Sequence, residues 1–314
     1  MKLRAYLLML SVVAVWGSTF VVIKAALGDA TPAAFNLIRM TLAFALLAAI
    51  YHRYWRGIKA WQVGAGAIVG LCLALGYQFQ TTGLARTTPS KSAFITGLLV
   101  VLVPFLSLIP GLRPPGACAP RWNAFLGAAL AFVGIVLLTA PTVMRAQGSG
   151  FPSLLTSLLP DLSSINLGDV LTLGCAVGFA FHCIALSHFS PRISFQPLAL
   201  LQVGFCALFM ALSLPFIEHP QVHWTPRLWL ALAIAAVLAT AAAFSIQSWV
   251  QAVLPSAHTA LLLTMEPVFA WIASFLLMGE RLSLRPGCGA LLILAGIALT
   301  ELFPQTHIPS AHEA

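Results

Sequence analysis

Thr88-Pro89-Ser90-Lys91-Ser92-Ala93-Phe94-Ile95 leads into an apolar run interrupted at Pro104, and Leu254-Pro255-Ser256-Ala257-His258-Thr259-Ala260-Leu261 leads into another interrupted at Pro267. Pro89 and Pro255 are 166 residues apart and Pro104 and Pro267 are 163 apart, so the two copies differ by three residues. Self-similarity at this spacing, with prolines at matching places in a very apolar chain, is the mark of a membrane protein built from two related halves.

Composition supports that reading. Of 314 residues, 60% are hydrophobic and 8% charged, and the mean hydropathy is +0.95. A soluble domain carries about 25% charged residues, so this chain cannot cover a water-facing surface and its natural solvent is a bilayer. The net charge of +8 raises the question of nucleic acid, but the densest basic group is only Arg53, Arg56 and Lys59. Such residues are expected to flank membrane spans, and no nucleic-acid partner is expected. The six cysteines include Cys72, Cys175, Cys183 and Cys206 inside apolar runs, with no Cys-x-x-Cys. Neither a disulfide framework nor a metal site is expected, and no cofactor. The apolar stretch from the N-terminus to Ile23 exceeds the ~7–15 residues of a signal-peptide core, which predicts an uncleaved first span.

A helix needs roughly 20 apolar residues to cross the hydrocarbon core. Ten segments meet this, at 5–24, 33–51, 61–84, 92–112, 122–140, 168–187, 196–217, 227–250, 257–278 and 286–303. Their apolarity is continuous rather than alternating, so the spans are helical and not barrel strands. The expected fold is an all-α polytopic membrane protein of ten transmembrane helices. The first repeat is 1–140, the linker 141–167, the second repeat 168–303 and the tail 304–314. The linker holds Phe151-Pro152 and Leu154-Leu155-x-x-Leu158-Leu159, compatible with a short interfacial helix.

With the N-terminus inside, eight Lys/Arg fall inside and six outside, with Lys24 and Arg39 within the membrane. In the first five spans the split is seven to three, which favours both termini in the cytoplasm and an inner-membrane location. Five spans per half is an odd number. The second repeat therefore starts from the opposite side, and the two five-helix repeats are inverted. Folds of this kind hold a small-molecule substrate near mid-bilayer, between the halves, and open alternately to each side.

Several segments carry a more specific signal. Ala14-Val15-Trp16-Gly17-Ser18-Thr19-Phe20-Val21-Val22-Ile23-Lys24 opens the first half and Asn36-Leu37-Ile38-Arg39 follows in the second span. Ser92-Ala93-Phe94-Ile95-Thr96-Gly97-Leu98 begins the fourth, and Glu266-Pro267-Val268-Phe269-Ala270 and Gly279-Glu280-Arg281-Leu282 close the ninth. Together these resemble the EamA-type branch of the drug/metabolite transporter superfamily over nearly the whole chain. The resemblance implies ten helices in two inverted repeats and export or exchange of small metabolites, amino acids or drug-like compounds. The opening Trp-Gly pair occurs in the first half alone; its counterpart region reads Phe179-Ala180-Phe181-His182. The cavity is therefore expected to be asymmetric in chemistry.

Ionisable and amide side chains at depth are costly and turn toward protein or a cavity. Glu266 is the deepest carboxylate, about 14 Å along its helix from Ala257 at 1.5 Å per residue. It is a candidate proton carrier or ligand for an amine, or a structural carboxyl. Lys24 and Arg39 could each face the cavity and attract a carboxylate, or pair with Glu266; Lys24 could equally snorkel to the surface, and Arg39 is expected to face inward. Trp16, Ser18 and Thr19 join Arg39, Tyr77, Gln80, Gln247 and Glu266 as candidate substrate-binding residues. Tyr77 and Gln80 share one helix face, as do Gln247 and Gln251, and these amides could equally bond helix to helix. His182 is expected to bridge helices, Glu280 to cap or pair, and Gly66-x-x-x-Gly70 to admit a close helix. Pro104 and Pro267 are expected to bend two symmetry-related gating helices.

No Gly-x-x-x-x-Gly-Lys-Ser/Thr, His-Glu-x-x-His or Gly-x-Ser-x-Gly motif is present. ATP is not expected to drive the process, protons are a candidate coupling ion, and an enzyme is not expected. A lipid or headgroup flippase is the alternative function, and a membrane enzyme a weaker one.

Overall fold

The computed structural model describes residues 2–109, 111–113, 122–139, 166–254, 262–263, 265–281 and 284–302. The expected linker lies outside these apart from its last two residues, as do 255–261 and the 304–314 tail.

Helices dominate the described residues. They are α1 (Lys2–Ala26), α2 (Pro32–Ile50), α3 (Ala60–Leu84), α4 (Pro89–Thr96), α5 (Leu99–Leu106) and α6 (Trp122–Thr139). The second half contributes α7 (Leu167–Phe189), α8 (Phe195–Ile217), α9 (Pro226–Val253), α10 (Glu266–Met278) and α11 (Leu284–Leu302). Among the described residues the sole β feature is an isolated antiparallel bridge, Ala30 to Val222. Six helices are long and apolar enough to cross a membrane: α1, α2, α3, α7, α8 and α9. Shorter apolar helices occupy the remaining expected spans.

The sequence explains where several helices begin. α2, α4 and α9 each open on Thr-Pro, at Thr31-Pro32, Thr88-Pro89 and Thr225-Pro226. Proline suits the first helical position because its missing N–H would have no partner there. Thr88 and Thr225 also accept the amides of Lys91 and Leu228 at 3.3 and 3.1 Å, capping their helices. Thr31 leaves that task to Glu218, whose carboxylate takes the amides of Ala33 and Ala34 at 2.9 Å each. A carboxylate at a helix N-terminus is favoured by the peptide dipoles.

Two proline positions differ from expectation. The span expected at 92–112 is split at Gly97–Leu98, where Leu98 and Val101 make three-residue turns at 3.1 and 2.9 Å. Pro104 lies within α5, beyond that break. Pro267 is the second residue of α10, so it starts this helix rather than bending it.

Helix packing follows an exchange pattern. α1 packs on α10, and its counterpart α7 packs on α4 and α5; α3 packs on α7 and α8, and its counterpart α9 packs on α1 and α2. α2 and α6 each meet their own counterparts, antiparallel. On α2 and α8, Ala33 meets Glu218, Phe44 meets Gly204 and Tyr51 meets Phe195. On α6 and α11, Asn123 donates to the Leu299 carbonyl at 3.4 Å, Gly127 meets Gly296 and Gly134 meets Gly289. Between α4 and α10, Ser90 donates to Glu280 at 2.9 Å and Gly97 abuts Pro267. An exchange that maps a helix onto an antiparallel neighbour is a twofold rotation perpendicular to the helices. That is an inverted repeat.

The surface is apolar, with Phe216, Leu276, Phe132 and Leu291 exposed. Inside, small residues let backbones approach: Leu201 packs on Gly66 and Phe205 on Gly70, so the Gly66-x-x-x-Gly70 face serves α3–α8 contact within the chain.

The two ends of the bundle differ. Where α1 ends and α2 begins, Asp29 pairs with Arg227 at 2.8 Å and also accepts from Thr225. At the same end Lys91 pairs with Asp169 at 2.9 Å, which also accepts from Thr87. Lys24 donates to the Leu84 and Ala85 carbonyls at 2.8 and 3.0 Å, capping α3, so it neither pairs with Glu266 nor snorkels. Glu280 accepts from both Ser90 and Ser274. At the opposite end the halves touch through Tyr51–Ser245 and Gln196–Tyr54 bonds, beside a hollow of about 340 Å³ between Arg4, Tyr51, Phe195 and Trp249. The twofold thus relates the backbones but not the ties.

Arg227 beside Asp29 holds the Asp29 carboxyl below the usual aspartate range. A depressed folded-state value contributes stability above the unfolded value, lost as pH falls through the folded one. Acidification below the ordinary aspartate range is therefore predicted to loosen this end. Thermal unfolding of the nanodisc-held protein across acid pH measures this, with Asp29→Asn lacking that component of the pH dependence.

Candidate functional site

Both halves wall one central cavity with an open volume of about 50 Å³, room for a few waters. α1, α2 and α3 bring Trp16, Thr19, Arg39, Tyr77 and Gln80; α7, α9 and α10 bring Phe179, His182, Phe244, Gln247 and Glu266. Seven of the eight candidate substrate-binding residues thus line it. Ser18 does not; its hydroxyl donates to the Ala14 carbonyl at 2.8 Å, within its own helix.

Arg39 is 1% exposed. Its guanidinium crosses from α2 to α9, where Nε donates to Thr240 Oγ1 at 2.8 Å and Nη2 to the Ala239 carbonyl at 3.3 Å. Nη2 also donates to the Tyr77 hydroxyl at 3.0 Å, and the guanidinium carbon lies 4.4 Å from the Tyr77 ring centroid. Cation and aromatic ring attract at this range. Nη1 has no hydrogen-bond partner among the described residues.

The α9 acceptors owe their position to a π-helical stretch, Ile234–Ala242. Thr240 Oγ1 donates to the Ala235 carbonyl, five residues back, at 2.7 Å. The wider turn brings that carbonyl alongside, and Thr240 then offers its lone pairs to Arg39. The Ala239 carbonyl also accepts the Trp16 indole N–H at 2.8 Å. π-turns of this kind concentrate at functional sites. Nothing in the apolar run Ile234-Ala235-Ala236-Val237-Leu238-Ala239 announces it, and Thr240 was missed for that reason.

An aromatic wall completes the cavity. Phe244 lies 5.6 Å from Trp16, 6.2 Å from Tyr77 and 5.7 Å from His182, and Tyr77 lies 5.2 Å from Phe179. His182 does bridge helices, its Nε2 lying 2.9 Å from Gln202 Oε1, and Gln202 Nε2 donates to Ser248 at 3.2 Å. It also lines the cavity. Phe244 looks like an ordinary lipid-facing residue in sequence and no local signal marks it, whereas Phe179 sits in the counterpart of the Trp16-Gly17 region.

Glu266 is 9% exposed, in the first turn of α10. No hydrogen bond or ion pair from another described residue reaches its carboxylate, so neither Arg39 nor Lys24 neutralises it. Gln247 Oε1 is likewise buried without a partner among the described residues, as is Gln251 Oε1. Groups of three or more His, Cys, Asp or Glu able to hold a metal are absent among the described residues. Arg39 and Glu266 are the single cation and single carboxylate among the described lining residues.

The EamA-like transporter family model matches residues 3–140 and 166–302. The chain belongs to the EamA-like transporter family. It is therefore a multi-pass membrane transporter of the drug/metabolite type. A relative from Archaeoglobus fulgidus, described as an uncharacterized transporter, is 30% identical over 310 residues, spanning 96% of this chain and 87% of that one. A solved crystal structure aligns over 97% of this chain and 98% of its own with a TM-score of 0.61 at 20% identity, a likeness of fold.

The floor of the site depends on Gly17. A Cβ there would meet the Glu266 carbonyl and the Phe269 Cβ at 2.7 Å and the Ala270 amide at 2.8 Å. Backbone atoms cannot step aside cheaply, so α1 would be pushed from α10. Gly17→Val is predicted to cost about 1–3 kcal/mol, read as a lowered thermal midpoint in detergent, whereas Gly64→Ala, with open space around it, leaves the midpoint unchanged.

Proposed function

We propose that this transporter is a secondary carrier of a small metabolite, moving it through the Arg39–Glu266 cavity by alternating access. The observation that carries the reading is one buried, mainly apolar cavity holding a few polar groups, whose walls come from both inverted halves. An inverted pair has two equivalent ways to open, one toward each side. The ties on the Asp29 end and the hollow at the opposite end support a state closed at the former. The proposed setting is the inner membrane, with ten spans and both termini cytoplasmic, so the Asp29 end faces outward. Export or exchange then means loading from the cytoplasmic side.

Glu266 is the proposed coupling group. The charged and titratable groups sharing its cavity are Arg39 from α2, Tyr77 from α3, and His182 and Cys183 from α7. The lining residues of α1, α4, α5 and α9 include no titratable side chain. A carboxylate with no fixed partner can take or release a proton as the cavity opens to either side. The ion gradient then supplies the driving force.

Comparing metabolites in medium from cells with and without the overexpressed protein tests the function, followed by flux of each released compound in reconstituted vesicles. The expected result is a small set of compounds that accumulate outside and cross the vesicle membrane. Identical media, with no flux, would overturn the reading. Glu266→Gln is predicted to abolish proton-driven accumulation while leaving counterflow down a solute gradient. Unchanged pH-dependent accumulation in that variant would remove the coupling role.

A further inference from the structure

We infer that Arg39 Nη1 and Gln247 form the head-group site for a single carboxylate on the transported solute, and that Thr240 is the positioning residue that aims Arg39 at it. The inference deepens the transport reading and rests on it. A guanidinium has five N–H donors. In Arg39 the Nε donor goes to Thr240 and the Nη2 donors to Tyr77 and Ala239. Both Nη1 donors remain without a partner among the described residues, on a side chain 1% exposed that lines the cavity. A buried charged donor left unmade is expensive, and such groups in a native fold call for an explanation. An anion arriving in the cavity supplies the missing acceptor, with a charge-assisted bond.

The chemistry of the lining narrows the anion. Arg39 is the one cation among the described lining residues and Glu266 the one carboxylate. A second negative charge on the solute would find no cation and would meet Glu266, so a monoanion fits and a dianion does not. Gln247 Oε1, 2% exposed and without a partner among the described residues, offers an acceptor to a hydroxyl or N–H near the carboxylate. Trp16, Tyr77, Phe179 and Phe244 surround these groups with aromatic surface, which suits an apolar or planar body. The present opening of about 50 Å³ is smaller than such a solute, so the walls part as it loads.

Thr240 sets the aim. It is fully buried, fixed to Ala235 by its own proton, and presents a lone pair to Arg39 Nε. With Nε and Nη2 held on α9 and Tyr77, Nη1 is the end left without a partner among the described residues, on a side chain that lines the cavity. Valine at position 240 keeps the shape and removes that anchor; serine keeps it.

The test is binding to the purified full chain in detergent, by titration calorimetry, with phenylacetate and its neutral isostere phenylacetamide. Wild type is expected to bind the carboxylate about tenfold or more tighter than the amide. Arg39→Lys and Thr240→Val are expected to lose that preference to within about twofold, while Thr240→Ser retains it, since lysine lacks the planar fork. Equal binding of the two probes, no saturable binding of either, or a preference surviving in both Arg39→Lys and Thr240→Val would overturn the assignment. Displacement of phenylacetate by equimolar chloride would overturn it in favour of a halide site. Because the readout is binding, its failure leaves vesicle flux standing, and failed flux leaves the binding result standing.

Discussion

Arg39 holds the two halves together across the cavity they share, where the proposed carrier motion would part them. Its guanidinium leaves α2 of the first half, lies on Tyr77 of α3, and ends on Thr240 and Ala239 of α9 in the second. In an apolar medium there is no water to satisfy those donors, so each must find a protein acceptor or a ligand. The π-helical stretch of α9 and the phenolic hydroxyl of Tyr77 supply those acceptors. One nitrogen is left over, on a side chain that lines the cavity both halves share.

The twofold and its violations explain one another. Counterpart helices meet antiparallel at α2–α8 and α6–α11, and α4 meets α10 antiparallel, which makes the two bundles equivalent as backbones. Side chains break that equivalence. The Asp29–Arg227 and Lys91–Asp169 pairs, the Glu218 cap and the Lys24 cap all lie at one end. Asp29 and Asp169 are buried while their cations keep some contact with solvent, so these pairs join the halves at this end. In the proposed carrier, equivalent backbones with unequal ties would give two arrangements, the tied one favoured.

Much of this was legible in the chain because a bilayer leaves few options. Span lengths, the repeat at Pro89 and Pro255 and the odd number of spans per half predict an inverted helical pair. Deep polar residues have to point inward, and Arg39, Tyr77, Gln80, Gln247 and Glu266 do line one cavity. Hydrogen-bond partners were not legible, because they join residues far apart in the chain: Lys24 with Leu84, Trp16 with Ala239, Asp29 with Arg227. Nor was the π-turn, since alanine, valine and leucine fit it as readily as a regular helix. The exact helix breaks were not legible either: Pro267 begins a helix, and the break in the fourth span falls at Gly97–Leu98.

Distance measurement at both ends of the bundle tests the central claim most directly. Spin labels placed at exposed Gly28 and His223 report the tied end, and labels at exposed Arg53 and Arg192 report the other. In liposomes, releasing the ties with Asp29→Asn should lengthen the first distance in a growing population while shortening the second in a matching one. Distances that stay single-valued at both ends, or lengthen together, would contradict two inverted halves rocking about a shared cavity.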